Sequence, residues 1–288
     1  IIGSISYFLE PIIYTNILIY LYYSKEIIHN TYTTTDIYIV PLLTIISFIP
    51  FSVAWAQKEY SKSVTIFGDS YSTFEGYLTP SNNEPWYFLD RHQMDNDVIA
   101  VENTWWHLLL KKNGWRLCMN NSYSGSTISS SGYGGADYTP RSFVTRASNL
   151  GNPDIIFIFG ATNDSWVPSP IGEYKYAGWT TEDLKSFRPS LAKLLDYMTK
   201  RYLGVDIYFI LNSELSDAID ASVLSICAHY GIPVIELHDI EKKAGHPSIA
   251  GMRAIADQVD DFVKSNKKKS DKKNEKNTRK KKVKKGKK

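Results

Sequence analysis

Four residue types that together perform acyl transfer occur in this chain where strands should end. Ser70 lies in the run VTIFGDSYSTF (64–74), Gly125 in NNSYSGST (120–127), Asn163 in PDIIFIFGATND (153–164) and His246 in KKAGHPSIAGM (242–252). Transfer of an acyl group through serine needs a hydroxyl, a base for its proton, donors facing the oxyanion and a group that orients the base. Ser70 offers the hydroxyl and His246 the base. The backbone N–H groups of Ser70 and Gly125, with the Asn163 side-chain amide, offer the donors. Taken singly, each has a plainer reading: Ser70 as a turn residue, Asn163 as an Asx-turn, His246 as a solvated residue before a helix. The functional reading therefore depends on whether the fold brings them together.

Five short apolar segments are rich in β-branched and aromatic residues: 64–67, 115–123, 153–164, 205–214 and 232–237. They are continuous rather than alternating, as strands covered on both faces should be. Between them lie helical patterns. VENTWWHLLLKK stops at Gly114, and TEDLKSFRPSLAKLLDYMTKRY opens on Thr181-Glu182-Asp183 and is interrupted by Pro189. DAIDASVLSICAHYG ends at Gly231, and SIAGMRAIADQVDDFV closes the series. This alternation predicts a parallel five-stranded sheet with helices on both faces, with functional groups gathered at the carboxyl ends of its strands. All four candidate residues fall at such ends.

The ordered set Gly68-Asp69-Ser70, Gly125, Gly160-Ala161-Thr162-Asn163-Asp164 and His246-Pro247 resembles the SGNH (GDSL) hydrolase family across residues 62–263. The resemblance implies a flavodoxin-like three-layer α/β/α sandwich and ester hydrolysis through an acyl-serine, with no cofactor and no metal. The G-x-S-x-G elbow of α/β-hydrolases is not matched, since Ser72 stands at its second glycine. In the family an aspartate three residues before the base usually orients it, and here that position is Lys243. Another group must take the role, or Ser70 and His246 work as a dyad. Asp239, Glu236 and a backbone carbonyl are the candidates, Asp239 being put forward because it lies in the same loop. His238, directly after the fifth strand, is the reserve base. His107 and His229 fall in helical patterns, and His92 and His29 lie away from the strand ends.

Loops 77–88 and 165–180 follow strands of the site and carry Trp86, Tyr87, Trp166 and Trp179, which suit stacking on sugar rings at a cleft rim. Packing is the competing reading for each. The expected substrate is thus a small-molecule or polysaccharide ester, with a carbohydrate esterase favoured over a lipase. The alternatives are a noncatalytic carbohydrate-binding protein on the same fold and a lipase- or thioesterase-like hydrolase.

The formal charge of +3 is segregated. Residues 264–288 hold fifteen Lys/Arg against two acidic residues, a net of +13, and the remainder holds 18 basic and 28 acidic residues, a net of −10. The tail has a single apolar residue, Val283, so composition predicts a disordered, solvated segment with no specific nucleic-acid partner. Cys118 and Cys227 lie in apolar stretches without metal spacing and read as buried free thiols. At the other end, the apolar run 37–53 followed by Ala54-Trp55-Ala56 has the form of a signal peptide spanning 37–56. It predicts a secreted or periplasmic mature chain that does not span a membrane, with the hydrolase domain at 57–263. Residues 1–36 are unassigned, reading either as a membrane segment or as sequence upstream of the true start.

Overall fold

The computed structural model describes residues 60–285, with side chains through residue 267. The export segment 37–56 and residues 1–36 lie outside the described residues. Five strands, β1 (Ser63–Gly68), β2 (Arg116–Asn120), β3 (Ile155–Gly160), β4 (Asp206–Leu211) and β5 (Val234–Glu236), form one sheet. All are parallel, in the order β2-β1-β3-β4-β5. Every residue of β1 and β3 is buried, which explains their unbroken apolar sequence: a strand inside a parallel sheet has no solvent face.

Alternate residues feed two cores. Val64, Ile66, Phe157, Phe159 and Ile210 face the layer built from α1 (Trp105–Asn113) and α6 (Ile249–Lys285), through Trp105, Leu109, Met252, Ile255 and Val259. Phe67, Ile156, Ile158, Phe209 and Leu211 face α2 (Phe143–Arg146), α4 (Phe187–Arg201) and α5 (Asp217–Tyr230), through Phe143, Leu191, Leu195, Val223 and Ile226. The result is the three-layer α/β/α sandwich that strand–helix alternation predicts. A one-turn helix, α3 (Thr162–Trp166), caps β3 at the carboxyl edge. A small hairpin, β6 (Lys242–Lys243) and β7 (His246–Pro247), precedes α6.

Two elements differ from their sequence patterns. The helix expected from Thr181 begins at Phe187, because Pro189 lacks an N–H and is tolerated only in a first turn. Asp183 instead closes a separate turn, accepting from Thr180 N–H at 2.6 Å and from the Thr180 hydroxyl at 2.7 Å. The basic tail, which composition predicts to be disordered, continues α6 to Lys285. Extension from a helix already docked on the sheet avoids the nucleation cost that an isolated segment would bear. Cys118 and Cys227 are free thiols; Cys227 is buried and Cys118 half-buried.

Candidate active site

Ser70 sits in a single 3-10 turn, Ser70–Ser72, immediately after β1. Two features force the chain to bend there. The Asp69 carboxylate accepts from Tyr71 N–H at 3.1 Å, capping the turn. Gly68 lets the turn fold back on itself: a Cβ at this position would lie 2.5 Å from Ser72 Cβ. Burial pushes the Asp69 carboxyl up to about 7, against the pull of Tyr71 N–H and Thr162. Asp69 braces the turn and makes no bond to the Ser70 hydroxyl.

His246 reaches the same point from the far side of the sheet edge. Its Nε2 lies 2.9 Å from Ser70 Oγ, and both residues are almost fully buried. His246 pairs with Lys243 across a two-residue loop, Ala244-Gly245. Both loop residues have positive φ, 50° and 72°, the pattern of a type I′ hairpin turn. Gly245 adopts it freely, whereas Ala244 is held in a region that L-residues rarely visit. This geometry turns the Ala244 carbonyl onto the imidazole, 3.0 Å from Nδ1. A carbonyl only accepts, so the proton lies on Nδ1 and the Nε2 lone pair faces the Ser70 hydroxyl. Burial lowers the His246 pKa to about 4, with the Ala244 bond pulling the other way. The ring is therefore neutral, as a general base must be.

The group held against His246 Nδ1 is thus a backbone carbonyl, and Asp239 does not occupy that place. Its carboxylate lies 3.0 Å from His238 Nδ1, and both side chains are largely exposed. Asp239 has positive φ and lies three residues beyond the end of β5, before the hairpin begins, with its side chain in solvent. His238 is accordingly not at Ser70. Lys243 lies opposite His246, but its side chain forms an ion pair with Asp97 at 2.5 Å.

Asn163 lies in the first turn of α3, behind Ala161, a residue with φ of 76°. Its Nδ2 donates to Ser126 O at 3.0 Å, and its Oδ1 accepts from the Tyr133 hydroxyl at 3.0 Å. These two bonds fix which end of the amide is the donor and leave a second Nδ2 hydrogen for a ligand. Gly125 adopts φ of 72°, and its N–H donates to no group among the described residues. Asp164 secures the adjoining loop by accepting from Ile128 N–H at 2.7 Å and Ser129 N–H at 3.2 Å. Burial holds its carboxyl at about 6.

The four aromatic candidates divide. Trp86 stacks face to face on His246, with ring centroids 3.6 Å apart and planes within 9°. Trp166 is 42% exposed and meets His246 edge-on at 5.9 Å. Tyr87 is fully buried and donates its hydroxyl to Pro247 O at 3.1 Å, so it supports the hairpin and is not on a rim. Trp179 packs against the core on the α2, α4 and α5 side of the sheet and donates to Lys175 O at 2.9 Å, which makes it a loop brace.

Several supports escaped the sequence reading. Asn96 Nδ2 faces the carbonyls of Lys243, His246 and Pro247 at 3.1, 3.2 and 3.1 Å. The Tyr71 hydroxyl donates to Gly245 O at 2.7 Å. Arg146 is buried among Phe67 and Phe143 and donates to Asn121 O, to Gly68 O at 3.2 Å and to Ser126 Oγ at 2.9 Å. It ties the Ser70 turn to the Gly125 loop. Burial lowers its pKa to about 9. No spacing marks these residues, because each acts on backbone carbonyls far away in sequence.

A buried serine facing a neutral histidine, with unspent donors at neighbouring strand ends, is the equipment of an ester hydrolase on this fold. Residues 62–263 match the family of GDSL-like lipases and acylhydrolases. A GDSL-like lipase of Bacteroides ovatus ATCC 8483 is 57% identical, with a TM-score of 0.71 over 72% of this chain and 100% of that one. Another, from Bacteroides uniformis ATCC 8492, is 51% identical, with a TM-score of 0.70 over 71% of this chain and 96% of that one. A Lactobacillus plantarum protein, 20% identical, shares the fold with a TM-score of 0.53 over 72% of this chain and 98% of that one. Among curated proteins none matches. The chain belongs to the GDSL-like lipase/acylhydrolase family, and it is an ester hydrolase.

Proposed function

We propose that this hydrolase removes acetyl or other short acyl groups from a carbohydrate through an acyl-Ser70 intermediate. The observation that carries the mechanism is the 2.9 Å approach of His246 Nε2 to Ser70 Oγ, with Nδ1 held by the Ala244 carbonyl. Ser70 Oγ attacks the ester carbon while its proton passes to Nε2, and the carbonyl π electrons move onto oxygen. Ser70 N–H, Gly125 N–H and the Asn163 amide receive that oxyanion. Collapse breaks the bond to the alcohol oxygen, which leaves with the proton from Nε2. Water then attacks the acyl-serine with His246 again taking a proton, and breakdown returns Ser70 and a carboxylic acid.

The carbohydrate part of the proposal rests on the rim. Two exposed aromatics flank the reacting atoms: Trp166 beside His246 and Tyr133, 42% exposed, beside Asn163. Aromatic faces in such positions suit the apolar faces of pyranose rings. A short acyl group fits the crowding of Trp86, Tyr71 and Trp166 around His246. In this reading the protein acts in the secreted or periplasmic space, a placement resting on the leader pattern of residues 37–56. The test is acetate release from acetylated oligosaccharides by the full chain, with Ser70→Ala as control. The proposal expects release that Ser70→Ala lowers by about 10³-fold or more. Turnover of simple aryl esters without any acetylated glycan being cleaved would overturn the carbohydrate assignment.

A further inference from the structure

In the proposed mechanism His246 forms an imidazolium each time Ser70 surrenders its proton, yet among the described residues no carboxylate bonds to its ring. Burial opposes that charge. Ser70 Oγ and the Ala244 carbonyl take the two nitrogens of the ring. Tyr71 and Tyr87 meet its edges, and burial keeps both phenols neutral. Asp69 is bonded to Tyr71 N–H. On the hairpin and its flanks, Lys242 is paired with Glu214, Lys243 with Asp97, and Glu241 accepts from Ser248. One face of the ring has a partner of another kind, the Trp86 indole, stacked nearly parallel to it at 3.6 Å.

We propose that Trp86 is a positioning residue for the base, its π face holding the imidazole plane and stabilising the imidazolium in the place of the missing carboxylate. Indole presents the most negative face of any side chain to a cation, and the attraction strengthens when water is excluded. The Trp86 backbone is fixed for this task. Its N–H donates to Thr73 Oγ1 at 2.8 Å, and the same hydroxyl donates to Ser70 O at 2.9 Å. One threonine thus couples the stacking residue to the nucleophile turn. The position also shows why Trp86 is poorly placed as a sugar platform: the imidazole already covers one indole face.

Replacing Trp86 by a small residue would change burial and ring field together, with opposite effects on His246. A fluorotryptophan series at position 86 separates them, because fluorine weakens the face potential with little change in shape. The proposal rests on His246 being the base, so the full chain is read in two ways. The first readout is the His246 titration by NMR, which needs no turnover; the second is kcat and KM on a short aryl ester. Mono-, di- and trifluoro substitution should lower the His246 pKa stepwise. It should also lower kcat in the same order, with KM nearly constant and a total loss of about two- to thirty-fold. Trp86→Phe should retain part of the rate and Trp86→Leu none of the stacking benefit. A pKa and kcat that stay flat across the fluorinated series would overturn the proposal, leaving Trp86 as packing. If the series shifts the pKa while His246→Ala keeps full esterase activity, the stacking is upheld and the base assignment itself falls.

Discussion

The Ala244 carbonyl lies 3.0 Å from His246 Nδ1, in the place where a carboxylate would otherwise orient the base. A neutral dipole fixes the tautomer but adds no negative charge, so burial controls the ring and holds its pKa at about 4. The rate should therefore stay high as pH falls from 8 to about 5 and drop through an apparent pKa near 4. A kcat/KM profile on a short aryl ester checks this; an acid limb at or above the ordinary histidine value of 6.5 contradicts it. Stability follows a mixed course. His246 binds fewer protons in the native state than in the unfolded chain between pH 6.5 and about 4, so its contribution falls on acidification. Asp69 and Asp164 have raised pKa values of about 7 and 6, and their contributions fall as pH rises from 3.8 through those values.

Asn163 should matter through charge and Tyr133 through orientation. Removing the amide with Asn163→Ala should cut kcat by about 10²–10³-fold. Tyr133→Phe removes only the hydroxyl that donates to Oδ1 at 3.0 Å, and should cost about two- to tenfold in kcat. Steady-state kinetics of both variants check the order. Equal losses would mean that the Tyr133 hydroxyl acts on the reacting atoms itself rather than through Asn163.

Lys243 and Asp239 should be dispensable for turnover. Lys243 is engaged with Asp97, and Asp239 lies with His238 on an exposed edge. Lys243→Ala and Asp239→Asn are expected to keep kcat/KM within about twofold, since exposed ion pairs contribute little. A hundredfold loss in Asp239→Asn would show that this carboxylate reaches the base during the reaction.

Asn96 should couple stability to rate. Its amide faces three carbonyls of the His246 hairpin, two of them in buried contacts. Asn96→Ala leaves them without that donor and should destabilise the protein by about 1–3 kcal/mol in denaturant titration. It should also lower kcat more than KM changes, because the base is displaced rather than the substrate. Unchanged stability would remove Asn96 from the support of the hairpin.

The parallel sheet was legible because a buried parallel strand has a plain apolar signature, and with it the places of Ser70, Gly125 and Asn163 just beyond the ends of β1, β2 and β3. The orienting group was not, because a carbonyl turned by positive φ at Ala244 leaves no mark in residue identity. Nor did sequence separate the aromatics: Trp86, Tyr87, Trp166 and Trp179 look alike in loops, yet one stacks on the base, one braces the hairpin, one edges the site and one packs elsewhere. Pro189 misled for a local reason, reading as an interruption although it lies in the first turn of α4.

The central claim is that Ser70 carries the acyl group. Rapid quenching of the full chain during turnover of p-nitrophenyl acetate, followed by peptide mass spectrometry, tests it most directly. The account predicts a burst of nitrophenol and one acetyl group on the peptide holding Ser70, both absent in Ser70→Ala and with the burst slowed in His246→Ala. Turnover at the wild-type rate in Ser70→Ala, or an acetyl group trapped on another residue instead, would contradict it.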